Sequence, residues 1–282
     1  MAVSAPTRLA PRRLSEPLPA PPPAEVLLEA RGVTLRYRTP DRVITATESI
    51  DLEIRHGDRL VLLGPSGCGK SSLLRAIAGF MEPVAGSISL DGRRVRGPGP
   101  DRIVVFQEFD QLLPWQAVRR NVAFPLRMAR GLSKEQADVR AMAYLDKVGL
   151  TDFADAYPHM LSGGMKQRAA IARALAMEPA MLLMDEPFAA LDALTRRTMQ
   201  QELLELWRTV RCTLLFVTHS VEEALLLGNR VVVLSPHPGR VVGEVEAGSL
   251  DDAVPEDPEF QAAVRQVHAL LGRPAAGHPW HG

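Results

Sequence analysis

Gly64-Pro65-Ser66-Gly67-Cys68-Gly69-Lys70-Ser71 fits the pattern GxxxxGK(S/T). Its glycines let backbone N–H groups converge on phosphate oxygens without side-chain obstruction. Lys70 is then placed to neutralise the β- and γ-phosphate charge of a nucleotide. Ser71 offers a hydroxyl to a divalent cation, and Ser72 follows it into the same site. A helix opening near Lys70 adds the positive end of its dipole to the same anion. Cys68 reads as a small tolerated side chain, not as a redox sensor. A second pattern, Met181-Leu182-Leu183-Met184-Asp185-Glu186, ends an apolar run in two carboxylates. Asp185 then stands at the C-terminal edge of a strand, where ligands of open α/β sheets bind, and suits a hydrated Mg²⁺. Glu186 suits the orientation and deprotonation of an attacking water. Read alone, such a pair is as readily a helix cap or a solvated loop charge.

These groups need a scaffold, and the hydrophobic pattern supplies one. Val33, Leu35 and Tyr37 alternate with polar residues, as do Ile50, Leu52 and Ile54, which predicts an antiparallel β subdomain. Arg59 to Leu63 is a compact apolar run ahead of the glycine loop, and Leu73, Leu74, Ile77 and Ala78 follow at helical spacing. Ile103 to Phe106, Met181 to Met184, Leu214 to Val217 and Val231 to Leu234 read as further buried strands. Separated by helical segments, they predict a mostly parallel sheet in an α/β fold. Between about 116 and 163 the strands stop, and helical material such as Lys134 to Val148 marks an inserted helical subdomain. Beyond Glu246, in a 247–282 segment, Phe260, Val264, Val267 and Leu271 are spaced along one face of a short helix.

Composition narrows the function. The chain has 282 residues, enough for one main domain, and Lys+Arg equals Asp+Glu at 33 each, so no net basic field favours nucleic acid. Cys68 and Cys212 stand far apart without CxxC spacing, which signals neither a disulfide framework nor a zinc site. No apolar run reaches the roughly eighteen residues of a membrane span. Residues 1–25 carry Arg8, Arg12, Arg13 and a proline cluster, the composition of a disordered tail. His278, Trp280 and His281 sit among glycine and proline and read as a frayed end. No internal repeat duplicates the glycine loop, so one nucleotide unit per chain is expected.

Leu161-Ser162-Gly163-Gly164-Met165-Lys166-Gln167-Arg168 resembles the signature sequence of ABC ATPases. Ser162 and the N–H groups of Gly163 and Gly164 open a helix through Ala176, a second anion-binding terminus on the same chain. The resemblance spans about Val26 to Glu246. It implies a P-loop NTPase with a RecA-like core, in which head-to-tail pairing sets the signature of one subunit over the phosphate loop of the other. It further implies that Tyr37 stacks on adenine, that Gln107 senses Mg²⁺ and relays to a membrane partner, and that Asp192 of Ala190-Leu191-Asp192 crosses the dimer seam. His219 resembles the switch histidine that contacts the γ-phosphate and positions Glu186. Without the resemblance, Tyr37 is as readily ordinary packing and His219 a capped polar group.

Lacking a span, the chain resembles importer ATPases that act on separate transmembrane permease subunits, with a periplasmic or extracellular solute-binding protein one step removed. Leu112-Leu113-Pro114-Trp115, Phe188 to Thr195 and Pro238-Gly239-Arg240-Val241 are similar to the nitrate/sulfonate/taurine group. Trp115 and its neighbours are expected to line a groove for a helix of the permease, at the cytoplasmic face of the membrane. The competing class is a soluble ABC ATPase that switches a macromolecular assembly without moving a solute. Tandem cassettes and a long coiled coil between loop and signature, which mark such relatives, are missing from the sequence.

Overall fold

A computed structural model describes residues 25–38, 40, 42–106, 111–189, 191–250 and 254–272. The proline-rich segment before residue 25, Gln107 and the terminal His278, Trp280 and His281 lie outside the described residues. The central sheet grows from sequences with almost no polar residue inside: β3 (Arg59–Leu63), β7 (Met181–Asp185), β8 (Thr213–Thr218) and β9 (Arg230–Leu234). Both faces of a parallel sheet are covered, so its strands read as unbroken apolar runs. The six-stranded order is β10-β9-β3-β8-β7-β6, with β6 at Arg102–Val105 and β10 at Val241–Glu246. All neighbouring strands are parallel except β10, which returns antiparallel along β9.

Alternation through this sheet divides the core in two. Leu60 and Leu62 of β3 face one side with Leu215, Val217 and Leu183, while Val61 and Leu63 face the other with Leu214, Phe216 and Met184. The first side is covered by α1 (Lys70–Ile77) and by a four-stranded antiparallel sheet, β2-β1-β4-β5. That sheet comprises β1 (Val26–Arg38), β2 (Val43–Arg55), β4 (Ala85–Leu90) and β5 (Arg93–Arg94). It is larger than the alternation pattern foretold, since β4 buries only Ile88 and Leu90 and the two residues of β5 are exposed. In β1 the buried set departs from strict alternation. Thr34 is buried with Val33 and Leu35 while Tyr37 is exposed, because four register shifts against β2 rotate the strand.

The opposite side is covered by α4 (Gly163–Ala176), α5 (Ala193–Val210), α6 (Val221–Leu227) and α7 (Pro258–Leu271). Helices α2 (Val118–Arg130) and α3 (Lys134–Lys147) pack on α4 through Val122, Leu126, Ala141 and Leu145. Ser133 and Gln136 form a reciprocal capping box that starts α3. In α7 the buried residues are Phe260, Val267 and Leu270. Leu271, expected on this face, is only half-buried. Val264 and Leu271 still pack against the core, and Leu270 joins them where Gly243 of β10 leaves room: a Cβ there would stand 2.7 Å from the Leu270 side chain. No helix among the described residues is long and apolar enough to cross a membrane.

Candidate functional site

The loop from Gly64 to Gly69 joins β3 to α1 and is shaped from below. Gly67 and Gly69 hold positive φ angles of 78° and 96°, conformations that glycine adopts without a Cβ penalty, and Cys68 N between them donates to the Pro65 carbonyl at 3.3 Å. At Gly69 a Cβ would lie 2.5 Å from the Ala46 carbonyl oxygen and 2.7 Å from Thr47 Cγ2, so only glycine lets the loop rest on β2. Lys70 is buried and its Nζ donates to the carbonyls of Gly64 at 2.8 Å and Pro65 at 3.0 Å. Pro65, Ser66 and Gly67 form the exposed rim, and Ser72 is half-buried on α1. Cys68 is wholly buried under the loop, where desolvation raises its thiol pKa against the opposing pull of Lys70. A thiol buried in this way is suited to packing.

Two strands deliver the acidic and basic groups to this loop. Asp185 ends β7, and its Oδ1 accepts a 2.7 Å hydrogen bond from Ser71 Oγ in the first turn of α1. Burial raises the Asp185 pKa, while the Ser71 hydrogen bond works in the opposite direction. A hydroxyl and a desolvated carboxylate side by side are oxygen donors of the type a hard divalent cation takes, and its charge would offset the cost of burying Asp185. The residues therefore fit Mg²⁺.

Glu186 follows at φ 44°, a left-handed conformation held by its N–H donating to the Val217 carbonyl at 3.0 Å. This turn swings its carboxylate toward the end of β8. There His219 Nδ1 lies 3.2 Å from Glu186 Oε2, with the imidazole 57% and the carboxylate 22% exposed. Carboxylate and imidazole thus face the same open space beside the phosphate loop, and one can orient the other.

A second helix terminus lies on the same chain. Ser162 caps α4, its Oγ accepting from Met165 N at 3.3 Å, and Gly163 and Gly164 form the first turn. Gly164 is packed on α5, since a Cβ there would meet Thr195 Cγ2 at 3.6 Å and Met199 Sδ at 3.8 Å. Asp192 caps α5 by accepting from Thr195 N at 3.0 Å, and hydrogen bonding to Thr195 holds its carboxyl below the usual range. The signature terminus and the Asp192 terminus are therefore neighbours. Tyr37, near the end of β1, is 45% exposed. Trp115 is 71% exposed on a turn that the buried Asn121 pins by accepting from Leu113 N and donating to the carbonyls of Leu113 and Gln116. Gln107 lies outside the described residues, but its flanks are fixed. Gln111 exchanges two hydrogen bonds with the backbone of Phe106, and Arg173 donates to the Gln111 carbonyl at 2.6 Å.

Two contributors escaped the sequence reading. Gly239, noted there only as part of a subgroup pattern, presses on the underside of the phosphate loop: a Cβ would stand 2.0 Å from the Cys68 carbonyl oxygen. Its N–H donates to Ala46 and its carbonyl accepts from Glu48 N, both at 3.0 Å. Arg196 braces the turn between Glu186 and Asp192 by donating to the carbonyls of Phe188 at 3.2 Å and Leu191 at 2.9 Å. Both act through backbone, which leaves no motif. A cavity of about 360 Å³ between α3, α4 and α5, lined by Arg168, Ile171, Met199 and Glu202, has no phosphate-loop residue in its walls.

A strand, a glycine loop, a helix and an acidic strand end beside them define a nucleotide-binding P-loop α/β protein. The family model described as ABC transporter matches residues 47–189, and the chain belongs to that family as an ATP-binding and ATP-hydrolysing member. It is similar to the taurine import ATP-binding protein TauB of Rhizobium johnstonii, 47% identical over 238 residues covering 82% of this chain and 90% of the relative. It is also similar to the nitrate import ATP-binding protein NrtD of Synechocystis sp., 45% identical over 237 residues covering 81% and 88%. Among solved structures, the dimeric ATP-binding cassette MJ0796, in a post-hydrolysis state bound to ADP and Pi, superposes with a TM-score of 0.68. It is 33% identical and covers 78% of this chain and 99% of that one.

Proposed function

We propose that this chain is the ATPase subunit of an importer, working at the cytoplasmic face of the plasma membrane on separate transmembrane permease subunits. A taurine-, sulfonate- or nitrate-like small anion, handed over by an external solute-binding protein, is the proposed cargo. The relatives named for taurine and nitrate import support this reading, as does the exposed Trp115 turn, a surface suited to a permease helix. Two copies, or this chain and a paired ATPase subunit, close head-to-tail with Ser162, Gly163 and Gly164 of each over the phosphate loop of the other. Asp192 then lies at the seam. The dimeric cassette to which the chain is similar supports that arrangement.

Within each site, Tyr37 stacks on adenine, and Gly64, Pro65, Ser66, Gly67, Cys68 and Gly69 offer backbone to the phosphates. Lys70 leaves the loop carbonyls for the β- and γ-phosphates. Ser71, Asp185 and Gln107 are the residues that would hold Mg²⁺, which would supply neutralisation of the phosphate charge when bound. Glu186 accepts a proton from the attacking water, and His219, beside it, fixes the carboxylate and the γ-phosphate end. The observation that carries this reading is the 3.2 Å approach of His219 to Glu186 beside the Ser71–Asp185 pair. The test is Glu186→Gln, which should bind ATP normally, lose turnover by about 10²-fold or more and accumulate as a dimer. Retained turnover removes Glu186 from its role. Co-purification with a multi-span partner supports transport, whereas stable association with ribosomes or DNA supports an assembly-switching role instead.

A further inference from the structure

Glu223 sits on α6 with only 9% of its surface exposed, and none of the groups described so far requires a carboxylate there. Its Oε2 accepts from the Thr218 hydroxyl and its Oε1 accepts from Gln200 Nε2 at 2.8 Å. Thr218 and Gln200 are themselves 2% and 7% exposed. Thr218 Oγ1 also accepts from Ser220 N at 3.1 Å, and Ser220 Oγ accepts from Glu223 N at 3.2 Å. Thr218 and Ser220 of this ring flank His219 in the chain. Among the described residues no cation pairs with Glu223. A carboxylate buried on neutral donors alone is a poor device for stability, where an amide or a well-packed apolar group serves better. What it does supply is two directional acceptors: one holds the Thr218 hydroxyl, whose oxygen in turn accepts from Ser220 N across His219, and the other holds the Gln200 amide of α5.

Gln200 brings in a distant element. On α5, Asp192, Arg196 and Gln200 recur at a spacing of four and so share one face. Asp192 caps the helix, Arg196 holds the turn that follows Glu186, and Gln200 reaches the ring around His219. One helix thus grips the loops carrying both members of the Glu186–His219 pair, and its N-terminus is the part that the proposed seam would touch. A shift of α5 would therefore strain hydrogen bonds that lead to both loops.

We infer that Glu223 and Gln200 are positioning residues for His219, coupling the histidine to the helix that Asp192 opens and through it to the turn that follows Glu186. The inference rests on the proposed ATPase reading. A misplacement of about 1 Å in a catalytic group costs up to 10²-fold in rate, whereas ATP affinity is set elsewhere, at the phosphate loop.

The experiment uses the full chain, with kcat and KM for ATP, binding of a fluorescent ATP analogue, and the ¹⁵N–¹H imidazole spectrum of His219. Gln200→Met keeps the length of the side chain but removes the amide. It should lower kcat about ten-fold with KM and nucleotide affinity within two-fold, and shift the His219 imidazole signal. Glu223→Gln retains an acceptor for Thr218 and should fall less far than Glu223→Ala. Unchanged kcat in both Gln200→Met and Glu223→Gln overturns the inference. So does a loss of kcat matched by equal losses of affinity and melting temperature, the mark of a purely structural role. Glu186→Gln, run in parallel, separates the two levels. If it abolishes turnover while Gln200→Met does not reduce it, only this inference fails; if it retains turnover, the functional reading fails first.

Discussion

Ser71 Oγ donates a 2.7 Å hydrogen bond to Asp185 Oδ1 although the two residues are 114 positions apart. The contact exists because β3 and β7 both flank β8 in parallel, which brings the helix after one strand beside the carboxylate ending the other. If the pair holds Mg²⁺, Ser71→Ala and Asp185→Asn should each lower ATP turnover by about 10–100-fold and raise the Mg²⁺ concentration needed for half-maximal rate. A magnesium titration of steady-state hydrolysis measures this. An unchanged half-saturation point would place the cation elsewhere.

The same carboxylate gives a pH signature. Burial raises the Asp185 pKa above its ordinary value, so the ionised form is disfavoured in the folded state. Well below the ordinary carboxylate range, Asp185 is neutral in both states and no penalty arises. As pH climbs past the unfolded value toward the raised folded one the penalty grows, and beyond that it stays constant. In chelator, Asp185→Asn should therefore melt higher than the parent at pH 7, with the difference closing near about pH 3. Differential scanning calorimetry across that range tests it; a lower melting temperature at neutral pH would mean that hydrogen bonding outweighs desolvation.

Lys70→Ala and Ser162→Arg should fail in different ways. Lys70 acts within its own site, and losing a charge-assisted contact to phosphate should weaken ATP binding about 10–100-fold. In the proposed pairing Ser162 acts on the opposite copy. Its replacement should leave ATP affinity of the separated chain within two-fold while preventing ATP-driven dimerisation of the Glu186→Gln protein. Equilibrium nucleotide binding and sedimentation distinguish these outcomes, and normal dimerisation of the doubly substituted chain would reject the trans placement.

Gly239→Ala tests a support that lies outside the motifs. Its methyl group would be forced against the Cys68 carbonyl at 2.0 Å, a backbone atom that cannot swing aside. Either the phosphate loop or the turn from Ser235 to Arg240 must move. Stability should drop by about 1–3 kcal/mol, and ATP affinity should fall with it. Chemical denaturation and nucleotide titration read the two effects; an unaltered affinity would show that the turn yields and the loop does not.

Much of the fold was legible because its central strands are buried on both sides. Runs such as Leu60 to Leu63 and Val231 to Leu234 leave little alternative to a covered parallel sheet. Strands with one wet face were harder. Ala85–Leu90 and Val241–Glu246 carry glycine and polar residues, and only pairing with β1 and β9 makes them strands. On α7 the spacing found the face of Phe260, Val264, Val267 and Leu271, but Leu270, seated in the gap above Gly243, was not marked by it.

The chain's own order of residues determined the glycine loop, the acidic strand end and the serine-capped helix, because each is a local pattern whose chemistry needs only its near neighbours. The motifs implied that Ser71 and Asp185 share a cation, and the resemblance that His219 serves Glu186, but the Ser71–Asp185 and Glu186–His219 contacts themselves, and those by which Gly239 props the loop and Gln200 reaches Glu223, came from tertiary structure. Those contacts join residues far apart along the chain, and which of them close depends on strand order and on the packing of α5 and α6, quantities that no short stretch of residues encodes.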